Sequence, residues 1–379
     1  MTRAVVRARG FVAGLAAVLG AVLLAACTSA EKPRPTPLEA LTPKIAGRQV
    51  WQARVDSIRF PLAVAVTGNT FTVAGTDGGV LALDANDGRE LWRANAGAPL
   101  TAGVGSDGRF AAVVTRDNEV VVFEAGREKW RARVGSRVTT APLVAGERVF
   151  VMGVDRVVNA YDALDGRLIW TLRRPGDALT LAQRGVLAPF KDTLLVGQGP
   201  RLAGVDPLRG SVRWEVAIAS PRGTNEVERL ADLVGPVARV GDTVCARAFQ
   251  AAVGCADAER GVLRWQRNVG GIEGVAGDEQ VVVAADGSSR ITAWRTASGE
   301  VAWTSERLLH RSLSAPLVVG PTVVFGDLEG QVHFLARDGG EPQLRLPTDG
   351  SPVAAAPVVA GTTVLVATRN GGLYAFRPQ

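Results

Sequence analysis

The chain has 379 residues, 47% of them hydrophobic and 21% charged, with a formal net charge of +6. That composition is too apolar and too weakly charged for a disordered protein. Its 44 Gly and 20 Pro favour a turn-rich fold, while two His and three Cys leave little material for metal or thiol chemistry.

Residues 1–26 read as an address. Arg3, Arg7 and Arg9 form a positive leader with no acid nearby, followed by an apolar run from Phe11 to Ala26. Sixteen residues fall short of the roughly 20 that a membrane span needs and match a secretory signal. The run closes in Leu24-Ala25-Ala26-Cys27, small residues before a cysteine, which matches the bacterial lipobox and makes Cys27 the lipidated first residue. An ordinary cleavage site followed by a cysteine is the alternative. Thr28 rather than Asp follows Cys27, which points to a lipid anchor in the outer membrane, on its periplasmic face.

Loss of Arg3, Arg7 and Arg9 lowers the charge from +6 to +3. Lys32, Lys44, Lys129 and Lys191 are the only lysines and the arginines are scattered, so there is no basic footprint for nucleic acid. Residues 27–46 carry Pro33, Pro35, Pro37 and Pro43 among polar neighbours and read as an extended tether.

From residue 47 a unit of about forty residues repeats. Asp84/Gly88/Trp92, Asp162/Gly166/Trp170, Asp206/Gly210/Trp214 and Asp257/Gly261/Trp265 share one spacing. Weaker copies are Gly126/Trp130, with a shortened turn, and Gly299/Trp303, where Arg295 replaces the Asp; the copy ending near Leu344 lacks its Trp. The third unit resolves into four short β segments: Ala141–Val144, Arg148–Val151, Val157–Tyr161 and Leu168–Leu172. Four antiparallel strands per forty residues is a β-propeller blade, with the Trp of the outermost strand packing between blades. The last segment supplies three strands, and Arg48–Ala53 is an orphan Trp strand at the other end. Pairing the two closes an all-β, eight-bladed ring over residues 47–379 and removes two exposed sheet edges.

Catalytic signatures are missing. The sequence has no His-Glu-x-x-His, no Gly-x-Ser-x-Gly and no phosphate loop. His310 and His333 stand apart from any ligand set, and the Asp-x-x-x-Gly turns recur as turn caps rather than as an acid/base pair. These features predict no catalytic residue, no metal and no cofactor. Cys245 aligns with Phe150 on the second strand of its unit and Cys255 with Ala160 on the third, so the thiols can face each other across a hairpin. A disulfide is the expectation in an oxidising compartment, with two free thiols as the alternative.

The Asp-Ala-x-x-Gly-x-x-x-Trp unit resembles the pyrroloquinoline-quinone-type propeller repeat, shared by quinoprotein dehydrogenases and by the outer-membrane protein assembly factors called BamB. The resemblance to the BamB family covers nearly the whole mature chain. It is most specific at Leu308–Pro316, at Gly326–His333 and over 223–232. It implies a non-enzymatic scaffold that binds the periplasmic POTRA domains of BamA within the BAM complex and assists unfolded outer-membrane proteins. It also implies two contact loops. One matches at Leu181, Arg184 and Gly185, with Gln183 where the pattern has Leu. The other matches at Arg229, Leu230 and Asp232, with Val234 where the pattern has Asp. Independently, the Trp intervals 170 to 214 and 214 to 265 are the two longest, which concentrates loop insertions in adjacent blades. A quinoprotein dehydrogenase and a generic envelope propeller binding glycan or another lipoprotein are the competing readings.

Overall fold

The computed structural model describes residues 33–174, 180–221 and 224–378; the signal segment, Cys27, residues 28–32 and Gly223 lie outside them. Two units separate along the chain, 1–35 and 36–379. The second consists of eight four-stranded antiparallel sheets. Blades 1 to 7 follow the chain, over 65–95, 105–133, 143–172, 187–217, 233–267, 276–305 and 317–347. Blade 8 joins Val358–Ala360, Thr363–Ala367 and Gly372–Pro378 to the N-terminal strand Gly47–Arg54, with Gly47 opposite Pro378 and Arg54 opposite Gly372. Each blade runs from its innermost strand outward, and neighbouring innermost strands pack side by side around an axis. This is the eight-bladed propeller the repeat predicts, closed through its termini.

The repeat motif is the joint between blades. In blade 3 the Asp162 carboxylate accepts the Leu164 amide (2.9 Å), and Gly166 N–H donates to the Asp162 carbonyl (3.0 Å). Gly166 adopts φ 77°, a left-handed conformation that an L side chain resists. It also sits face-on to Trp130 of the preceding blade: a Cβ there would lie 2.6 Å from the indole. Trp130 Nε1 then donates to the Ala163 carbonyl (2.9 Å), and Trp51, Trp170, Trp265 and Trp303 repeat that bond to Ala85, Pro207, Thr296 and Arg337. These five Trp thus satisfy their N–H across a blade boundary. Aliphatic strand residues fill the layers between blades, as where Trp51, Phe71, Leu83, Val113, Phe123 and Leu373 share one cluster.

The interlock also accounts for the missing Trp at Leu344. Blade 8 has its outer turn cut open by the chain ends, so no turn glycine exists there to receive an indole. Gly47 takes the place instead, and a Cβ on it would lie 2.8 Å from Leu344 Cδ2.

From Thr36 onward the segment read as a tether packs on blade 7 and belongs to the same compact unit as the blades. Leu38 joins the apolar cluster of Leu308, Leu313, Phe325 and Leu335, and Ile45 joins that of Phe334, Leu344 and Phe376. A proline-rich composition kept the segment extended, but its spaced apolar residues found a groove.

Candidate functional site

The two long connections, from blade 3 to blade 4 and from blade 4 to blade 5, are clasped to each other. The Asp232 carboxylate is the clasp: Oδ2 accepts Leu181 N–H (2.9 Å) and Oδ1 accepts Arg156 Nη2 (2.8 Å). Arg156 reaches it from the hairpin turn between the second and third strands of blade 3, at φ 62°. Gly235 N–H donates to the Arg184 carbonyl (3.0 Å), Gly185 N–H to Thr140 Oγ1 (2.9 Å), and Thr139 Oγ1 to the Gln183 carbonyl (2.9 Å). Close approach requires the glycines: a Cβ on Gly235 would lie 2.8 Å from the Gly185 carbonyl oxygen, and one on Gly185 would lie 2.8 Å from Met152 Cε. Thr140, Gln183, Asp232 and Leu233 line a small pocket with Leu181 and Arg184.

With its backbone fixed from three sides, Arg184 extends into the mouth of the central channel. Its guanidinium makes no hydrogen bond or ion pair among the described residues; Glu273 interacts with it through space only. Burial pushes the Arg184 pKa down, and the Glu273 charge offsets part of that. Glu273 answers in kind: burial raises its carboxyl to about 7, against the opposing pull of Arg184, Arg369 and Arg247. Arg184 and Glu273 both keep part of their surface open to the channel, which moderates the desolvation behind these shifts. The mouth is a cavity of about 300 Å³ whose wall also carries Arg59, Ile272 and Arg369. Arg247, by contrast, is fully buried, with Nη1 on the Gly270 carbonyl (2.9 Å) and Nη2 on that of Ala285 (3.0 Å). The mouth therefore presents the Arg184 and Arg59 guanidinium groups, a carboxyl raised to about 7 and an exposed isoleucine. Such a mixed concave surface suits a polypeptide.

Leu181, Arg184, Gly185 and Asp232 come together in one place. Arg229 and Leu230 do not line it. They sit half-buried on a turn just before it, where Arg229 N–H donates to Asn225 O and Leu230 N–H to Val227 O, both 3.2 Å. Val227 is the exposed tip of that turn, 71% accessible. Val234 is buried on the sheet opposite Arg247, a position where an exposed carboxylate has no room. Sequence reasoning missed Arg156, Thr140, Glu273 and Arg369. Arg156 lay in a segment read only as a hairpin turn, and the others come from blades distant in sequence.

Cys245 and Cys255 are opposite each other in register and joined as a disulfide, fully buried in blade 5 beside its Trp265 and against Trp294 of blade 6. They belong to the packing between blades and not to the channel mouth. His333 is in neither place: its Nε2 lies 2.9 Å from Asp327 Oδ2 in blade 7. Among the described residues no group of three or more His, Cys, Asp or Glu could hold a metal ion.

Comparison with known proteins adds a family. A family model described as outer membrane protein assembly factor BamB matches residues 38–100 and 76–305. The outer membrane protein assembly factor BamB of Burkholderia pseudomallei (strain K96243) is 37% identical, covering 97% of this chain and 98% of the relative. That of Bordetella pertussis (strain Tohama I) is 34% identical, covering 96% of each. Among solved structures, BamB from Moraxella catarrhalis aligns with a TM-score of 0.79 at 22% identity, over 87% of this chain and 99% of that one. Quinohemoprotein alcohol dehydrogenase from Comamonas testosteroni aligns with a TM-score of 0.67 at 15% identity, over 88% of this chain and 76% of that one. These two structural likenesses establish the fold alone.

Proposed function

Because this chain belongs to the outer membrane protein assembly factor BamB family, we propose that it is a non-enzymatic scaffold of the outer-membrane β-barrel assembly machinery. It docks the periplasmic POTRA region of BamA at the channel mouth and assists insertion of outer-membrane proteins, held to the membrane by a lipid on Cys27. The observation that carries this reading is the clasp at Asp232. Two loops from successive blades are tied together through Asp232, and Arg184 beside that clasp makes no hydrogen bond or ion pair among the described residues. A buried guanidinium left without a hydrogen-bond partner on a fixed backbone fits recognition.

The quinoprotein alternative draws on the shared fold. In that reading adjacent cysteines stack on the quinone; here the cysteines lie ten residues apart inside the packing of blade 5.

The test is extraction of the native lipoprotein in mild detergent and recovery of its partners, beside the Asp232→Arg variant. The reading predicts BamA with the wild type and its loss with the variant, whose propeller stays folded by circular dichroism. Absence of BamA from the wild-type extract contradicts the scaffold reading.

A further inference from the structure

Blade 7 carries a buried ionic cluster that the proposed docking site does not use. Arg311 Nε donates to Asp327 Oδ2 (2.7 Å), Nη2 pairs with Glu329, and Asp327 Oδ2 also meets His333 Nε2 (2.9 Å). The side chains of Arg311 and Asp327 are 2% and 0% exposed. Buried ion pairs rarely stabilise more than apolar packing of the same volume would, so what they position matters. The remaining arm of Arg311, Nη1, donates to the Thr36 carbonyl (3.0 Å), while Thr36 N–H donates to the Leu309 carbonyl (3.0 Å). Further along, Arg345 Nη1 donates to the Glu39 carbonyl (3.1 Å), Arg307 pairs with the Glu39 carboxylate (3.2 Å), and Lys44 N–H donates to Gln343 O (2.8 Å). Leu38 is packed beneath these bonds. Segment 36–45 is therefore a strap held at both ends and in the middle.

Its place on the ring has a geometric consequence. The anchoring stretch Leu308–Arg311 connects the outermost strand of blade 6 to the innermost strand of blade 7. The connections carrying Leu181–Gly185 and Asp232 are of the same kind. All blades share one strand order, so every such connection lies on the same face of the ring. Thr36 thus enters the ring on the face that bears the candidate docking site.

We propose that the strap is an orientation device: anchored by Arg311, it fixes the departure point of the membrane tether on the docking face and shortens the tether's reach. The inference rests on the reading of Cys27 as the lipid-bearing residue. Eight residues, 28–35, separate Cys27 from Thr36. Fully extended, they span roughly 30 Å, whereas a chain free from Cys27 to Gly47 would span roughly 70 Å. The strap keeps the docking face toward the bilayer and within the shorter distance.

The test uses the full lipoprotein reconstituted into phospholipid vesicles containing a fluorescent acceptor lipid. A donor is placed on the docking face by Asp117→Cys, in an exposed turn of blade 2, or on the opposite face by Leu164→Cys, 44% exposed. The expected result is at least twofold greater energy transfer from the docking-face label. That difference should disappear in Leu38→Asp and in Thr36→Pro, which alter the strap and leave the Arg311 cluster in place. Equal transfer from both labels in the otherwise native protein, or a difference that survives both strap variants, overturns the proposal. Flotation with the vesicles reads the anchor separately. Protein that does not float refutes lipidation, whereas protein that floats without the face difference refutes the strap alone.

Discussion

Two regions of this ring hold buried charge, and they treat it differently. In blade 7, Arg311, Asp327, Glu329 and His333 satisfy one another, and the surplus donor goes to the Thr36 carbonyl. At the channel mouth, Arg184 and Glu273 interact through space without a hydrogen bond, with the Arg184 carbonyl held by Gly235 N–H. The first arrangement fixes the chain to itself. The second leaves a charge unsatisfied on a rigid mount, which is what a binding surface requires. The difference fits blade 7 as the part that holds the chain to itself and the mouth as the candidate docking surface.

Substitution in both regions breaks or sharpens that contrast. Asp327→Ala strips Arg311 and His333 of their shared partner inside the protein, and should destabilise by about 3–5 kcal/mol in urea unfolding. A loss below about 1 kcal/mol would erase the distinction between the regions. Asp232→Ala should fall between, at about 1–2 kcal/mol, since it removes one half-buried ion pair and one loop hydrogen bond. Arg184→Ala should leave stability unchanged within about 0.5 kcal/mol, because its guanidinium makes no hydrogen bond or ion pair among the described residues and meets Glu273 only through space.

Acid sets the two regions against each other. Burial lowers the pKa of His333. Asp327 is also lowered: its His333, Arg311 and backbone hydrogen bonds outweigh the burial that opposes them. A depressed folded pKa contributes stability above the unfolded value that is lost on acidification, so blade 7 weakens as pH falls below about 6.5. Glu273 has the opposite sign: raised from 4.5 to about 7, it favours the fold in acid and loses that contribution as pH rises between those values. Glu273→Gln should therefore show a steeper rise of unfolding free energy with pH over that window than the wild type. Superimposable profiles would mean that Glu273 is not desolvated at the mouth.

The fold was legible because one motif recurs around the ring. Asp, Gly and Trp at fixed offsets encode a turn, a left-handed residue and an indole that must meet across blades, and even the absent Trp at Leu344 follows from the opened turn of blade 8. Cys245 and Cys255 could be set opposite each other by the same alignment. The site was legible in part. Leu181, Arg184, Gly185 and Asp232 cluster, whereas Arg229 and Leu230 lie on the turn beside them. Glu273 and Arg369 were invisible because ring closure, and not sequence spacing, carries them to the mouth. The strap was hidden for another reason: prolines advertise extension, which is also the conformation a docked strap needs, and only Leu38 and Ile45 marked the groove side.

The most direct measurement is the affinity of purified BamA periplasmic domain for the mature protein, wild type and Arg184→Ala, by titration calorimetry, with urea unfolding of both. The account predicts at least a tenfold weaker complex for the variant at unchanged stability, a difference of about 1.4 kcal/mol in binding. An unchanged dissociation constant would show that the unpaired guanidinium is not the recognition element and that the interface lies elsewhere on the ring.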